Sequence, residues 1–228
     1  MAINRFFKPF VGTKYKQGIN GKRVLVLGAS FYCPNSQCQY FPQCTDVNRK
    51  DSSQWDTICP VYSQHKKVLH NEPSYCIDDA PQTYCVFARC VAPELFGDTV
   101  GYQDFWQHFA FTNYVQFFLP AIGGVFRETL PSDMSERDFK AFIETVQELQ
   151  PDIVIVWGTV INKPLINENP LVVSLEMLEK SEEYVCYIRV PGVEHDIALI
   201  NPYHPSSPRY WNAGFDKFKK YMLQLLGM

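Results

Sequence analysis

The chain has 228 residues, 46% of them hydrophobic, which suffices for a sizeable core and excludes a disordered or collagen-like polymer. Its 21 basic and 24 acidic residues leave a net charge of −3. That balance argues against gripping long duplex DNA by charge, so any nucleic-acid contact must be a local patch or be made to a small piece.

The length predicts a single domain over 1–228. No apolar run approaches the ~18–20 residues that span a bilayer. The stretch Met1 to Pro9 carries Arg5 inside its apolar part and has no cleavage site, so it does not read as a signal peptide. The expectation is a soluble, cytoplasmic chain without a membrane partner. Lys22 to Gly28 holds a continuous apolar run closed by glycine, the pattern of a buried parallel strand. An irregular, Cys-rich insert follows from about 33 to 90, with helical segments suggested near Trp55 to Leu69. A stretch of that length without clear elements is usually functional or held by something specific.

Tyr102 to Val115 reads as a short helix capped near Asp104, then a strand from Ala110 to Asn113. Ser135 to Gln150 is the clearest helix. Ser135 and Asp138 form a variant capping box, and Phe139, Phe142, Ile143, Val146 and Leu149 share one face. Pro151 ends it. Asp152 to Gly158 is a second buried strand closed by glycine. Asn169-Pro170 suggests a helix running to about Lys180. Tyr184 to Val190 and Ile197 to Asn201 read as strands. The last helix presents Phe215, Phe218, Met222 and Leu225 on one face. The alternation predicts an α/β fold, a three-layer α/β/α sandwich with a short, mostly parallel central sheet.

Ligands of such sheets bind beyond the carboxyl ends of the strands. Three polar clusters fall there: Gly28 to Tyr32, Thr112 to Tyr114, and Asn201 to Pro208. His204, flanked by Pro202 and Pro205, sits in a stiff loop. It is either a loop histidine bonded to backbone or a functional imidazole. Asn113 offers a donor and an acceptor that could read a base edge, or it could bond its own turn. Phe31, Tyr32 and Phe111 are core rings or stacking surfaces. Arg209 is a solvated surface cation or a phosphate contact.

Taken in order, the landmarks are a strand ending in Gly28-x-x-x-Tyr32, Asn113 at a strand end, Trp157-Gly158, and His204-Pro205-Ser206. Together they resemble the uracil-DNA glycosylase superfamily over about 22–34 and 102–225. The insert lies outside that resemblance. The resemblance implies hydrolysis of an N-glycosidic bond, releasing a damaged or deaminated base during DNA repair. The matching roles are His204 stabilising the anionic leaving base through its O2, Asn113 reading that base, and Tyr32 walling the pocket, with Gly28 and Phe31 beside it. Ser206, Ser207 and Arg209 would contact the nucleic acid. The first motif departs from the family. Ala29 and Ser30 stand where its subgroups carry the carboxylate or carboxamide that activates or positions water. Ser30 could orient a water but could not take its proton. The alternatives are a non-catalytic member binding single-stranded nucleic acid, a free nucleobase or a nucleotide, and an interaction protein acting through the insert.

Eight cysteines are present, seven of them between Cys33 and Cys90. Without an export signal, disulfides are not expected. Cys33, Cys38, Cys44 and Cys59 could hold a structural zinc ion, or the thiols are free and buried; no other cofactor is required. The zinc reading predicts about one metal per chain by elemental analysis after chelator washing. Reduced thiols without metal would leave the buried-thiol account.

Overall fold

The computed structural model describes residues 4–5, 7–33, 83–97, 100–120, 128–177, 184–201, 204–205, 207 and 215–228. Seven strands form the main sheet. They are β1 (Phe10–Val11), β2 (Val24–Gly28), β4 (Phe109–Asn113), β6 (Ile153–Val156), β7 (Val172–Met177), β8 (Tyr184–Ile188) and β9 (Ile197–Ile200), in the order β1-β4-β2-β6-β9-β8-β7. The pairs β4–β2, β2–β6 and β6–β9 are parallel. The outer pairs β1–β4, β9–β8 and β8–β7 are antiparallel. The fold is therefore α/β, with a parallel centre inside a mixed sheet. Two short strands, β3 (Phe31–Cys33) and β5 (Phe118–Pro120), pair in parallel as a separate ribbon.

Alternation along the central strands divides the core in two. Val24, Val26, Phe109, Phe111, Ile153 and Ile155 share one cluster. Leu25, Leu27, Ala110, Val154 and Val156 share the other. Helices α1 (Thr83–Phe96), α2 (Tyr102–Trp106) and α4 (Phe215–Leu225) pack into the first cluster through Phe87, Phe105 and Met222. Helix α3 (Glu136–Leu149) packs into the second through Phe142, Val146 and Leu149. Among the described residues, no helix is long and apolar enough to cross a membrane.

Helix α3 begins as its sequence dictates. The Asp138 carboxylate accepts hydrogen bonds from the Ser135 N–H (2.6 Å) and hydroxyl (2.8 Å). Gln150 closes the helix in the left-handed region at φ 52°, its N–H bonded to the Val146 carbonyl, and Pro151 prevents continuation.

Three expectations change. Residues 172–177 are strand β7 rather than a helix after Asn169. The Asn169 side chain accepts from the Leu171 N–H (2.9 Å) and donates to the Leu165 carbonyl (2.8 Å). It therefore closes a turn into an extended segment instead of capping a helix. The part of the insert from Thr83 onward is helix α1, with Cys85 buried and Cys90 half-buried on it. Helix α2 starts after Gly101, so Asp104 lies inside it and is not its cap. The helix suggested near Trp55 to Leu69 lies outside the described residues.

Candidate functional site

The in-register pairing of β2 with β4 sets Gly28 beside Asn113 at the carboxyl ends of both strands. Both lie on the face of the first core, since Val26 and Phe111 stand two residues earlier. Asn113 is 3% exposed, and its side chain lies directly over Gly28. A Cβ added at Gly28 would stand 2.1 Å from Asn113 Oδ1 and 3.2 Å from Phe111 Cζ. Among the described residues, none hydrogen-bonds the Asn113 carboxamide. Among those residues its donor and its acceptor are uncommitted.

Trp157 follows β6 on the same face. Its backbone N–H donates to the Leu27 carbonyl, and its ring centroid is 5.5 Å from that of Phe111 and 5.2 Å from that of Phe87. His204 meets Trp157 edge-on, with centroids 6.1 Å apart. A continuous path of contacts therefore runs from Gly28 and Asn113 through Phe111 and Trp157 to His204. Gly158 has φ 103°, a conformation suited to glycine, and turns the chain away from β6. Asn201 ties the end of β9 to this turn, donating from Nδ2 to the Gly158 carbonyl (3.1 Å) and to Asn162 Oδ1 (2.7 Å). The His204 carbonyl accepts from the N–H of half-buried Ser207 (2.8 Å).

The first loop carries hydroxyls. Ser30 Oγ lies 2.7 Å from Thr129 Oγ1, and the Tyr32 hydroxyl lies 3.4 Å from the same atom. Such a chain can pass or orient hydrogen bonds but includes no carboxylate or imidazole to serve as a base. Phe31 is buried edge-on to Phe7, with centroids 4.7 Å apart, so its ring belongs to the core. Cys33 ends β3. Ser206, Arg209, Cys38, Cys44 and Cys59 lie outside the described residues. Among the described residues, no group of three or more His, Cys, Asp or Glu could hold a metal ion.

Sequence reasoning missed Thr129, which meets Ser30 across 99 positions of chain. It also missed Gln116, which bonds the Asn113 carbonyl. Neither stands in a motif; only Gln116 gave a signal, as a polar residue inside the apolar stretch from Tyr114 to Leu119. A cavity of about 390 Å³ opens on the other side of the sheet, lined by Tyr114, Met134, Phe139, Val160 and Lys163 among others. None of the candidate residues lines it, and the strand-end geometry is the better guide to chemistry. No protein-family model matches the chain, and no curated protein matches it significantly.

Burial pushes the His204 imidazole below its ordinary value of 6.5, so the ring is neutral at pH 7 and donates from one nitrogen. Between the folded and ordinary values the unfolded chain binds the extra proton. This group's contribution to stability is therefore complete above about pH 6.5 and is lost as pH falls through the folded value. An NMR titration of the His204 ring should place its midpoint below that of a histidine in an unstructured peptide. Gly28→Ala should displace the Asn113 carboxamide and cost about 1–3 kcal/mol, as overpacking does. Urea unfolding measures the cost, and an unchanged midpoint would mean that Asn113 does not lie over Gly28.

Proposed function

We propose that this chain binds a pyrimidine base drawn out of DNA, preferentially from a single strand, and slowly hydrolyses its N-glycosidic bond. The observation that supports the reading is that Asn113 lies over Gly28 at the strand ends while His204 packs edge-on to Trp157, which packs against Phe111. A carboxamide with both ends uncommitted among the described residues suits the paired donor and acceptor of a uracil edge. The buried Phe111 and Trp157 rings behind it would hold that carboxamide rigidly toward an extruded base.

In this reading the bond from the sugar C1′ to the base nitrogen breaks, and its electron pair passes into the base. His204 donates a hydrogen bond to the base oxygen where negative charge collects. Water adds at C1′ and its proton passes to solvent, because Ser30 can hold the water but cannot accept the proton. Ser206, Ser207 and Arg209 would meet the flanking phosphates. A zinc ion on Cys33, Cys38, Cys44 and Cys59 would be structural. The corresponding setting is cytoplasmic DNA repair.

A second reading is favoured by the first loop, where Ser30 bonds Thr129 and the resemblance would call for a carboxylate or carboxamide at Ala29 or Ser30. The chain would then bind the base, or a nucleotide, without cleaving it. A positioned base typically contributes ~10²–10⁴-fold. One oxyanion-type donor contributes ~10²–10³-fold. Slow uracil release from a single-stranded oligonucleotide is therefore expected, abolished in His204→Ala and raised in Ser30→Asp. Binding without release would support the second reading. Fast release unaltered in His204→Ala would place the chemistry on other residues.

A further inference from the structure

Residues 114–117 leave β4 as an irregular turn, and all four are buried. A buried turn must find partners for its polar backbone inside the protein. Two amides are met by the loop after β2, with Tyr114 N–H donating to the Gly28 carbonyl and Val115 N–H to the Ala29 carbonyl, each at 2.9 Å. The Asn113 carbonyl is met by a side chain, since Gln116 Nε2 donates to it at 2.7 Å. The other end of the same carboxamide, Gln116 Oε1, accepts from the Phe7 N–H at 3.1 Å. The Gln116 backbone N–H donates to Asp138 Oδ1 at 2.7 Å, and Asp138 is already fixed at the start of α3 by Ser135. One buried glutamine thus joins the N-terminal segment, the peptide after Asn113 and the first turn of α3.

We propose that Gln116 is the positioning residue of the site, holding the Asn113 peptide so that its carboxamide stays over Gly28 and meets a base in one orientation. The inference rests on the reading of Asn113 as the residue that recognises the base. The peptide that follows the Asn113 side chain is anchored at both of its polar atoms, the Asn113 carbonyl by Gln116 and the Tyr114 N–H by the Gly28 carbonyl. Rotating that peptide would break the Gln116 bond and leave a buried carbonyl unpaired. A glutamine that only held the turn together would affect stability and leave base preference alone.

The test compares affinities for a single-stranded oligonucleotide carrying one deoxyuridine and the same strand carrying deoxycytidine, read by fluorescence anisotropy. The unaltered chain should prefer uracil. Gln116→Met, and Gln116→Glu, which keeps the shape but removes the donor, should each reduce that preference about tenfold, within the worth of one bidentate base contact. Asn113→Ala should do the same. Adding either Gln116 substitution to Asn113→Ala should cause no further loss, the mark of residues acting through one another. An unchanged preference in a folded Gln116 variant, or losses that simply add, would overturn the inference while leaving Asn113 its role. No uracil preference in the unaltered chain would instead overturn the reading of Asn113, and this inference with it.

Discussion

Strand β2 is hydrogen-bonded on both edges, in register, to β4 on one side and β6 on the other. Every other feature of the candidate site depends on that pairing. Because side chains alternate along a strand, one register assigns Val26, Phe111 and Ile155 to one face and Leu27, Ala110 and Val154 to the other. Two residues past Phe111, the same face carries Asn113. Two past Ile155, it carries Trp157. A slip of one residue in either pairing would send one of these side chains into the opposite core.

Past the sheet, position is set by side chains acting as backbone partners. Asn169, Gln116 and Asn201 each use a carboxamide to bond chain that has left regular structure. A carboxamide suits this work because it carries donors and an acceptor without a charge to desolvate. Asp138 is the charged exception. Burial raises its pKa while the Gln116 and Ser135 donors and Arg137 pull it down. Its hydrogen bonds hold the carboxylate in place beside the turn that follows Asn113.

Much of the frame was legible in the sequence because it obeys local rules. The apolar runs ending at Gly28 and Gly158 are buried on both faces, as parallel central strands are. The α3 helix carries its own start and stop signals in Ser135, Asp138 and Pro151. Where local signals conflict with tertiary pairing, the sequence misleads. Val172 to Met177 follows an Asn-Pro pair that suits a helix start, yet its backbone pairs with β8 across the Val185 and Cys186 positions. Helix α1 was hidden by Pro93 in its interior and by its cysteines. Of the site, the strand-end residues Gly28, Asn113 and His204 could be named from sequence, because topology puts strand ends together. Thr129 could not, because its partner Ser30 is distant in the chain and nothing in either segment encodes the meeting.

The floor beneath Asn113 and His204 is made of rings. Tyr84, Phe87, Trp106, Phe111 and Trp157 interlock with centroids 5.0–6.2 Å apart, chiefly edge to face. Rings packed this way leave little room for rearrangement. Phe87, Trp106, Phe111 and Trp157 are themselves buried, so they act as a stiff backing that fixes the strand ends rather than as an open apolar face.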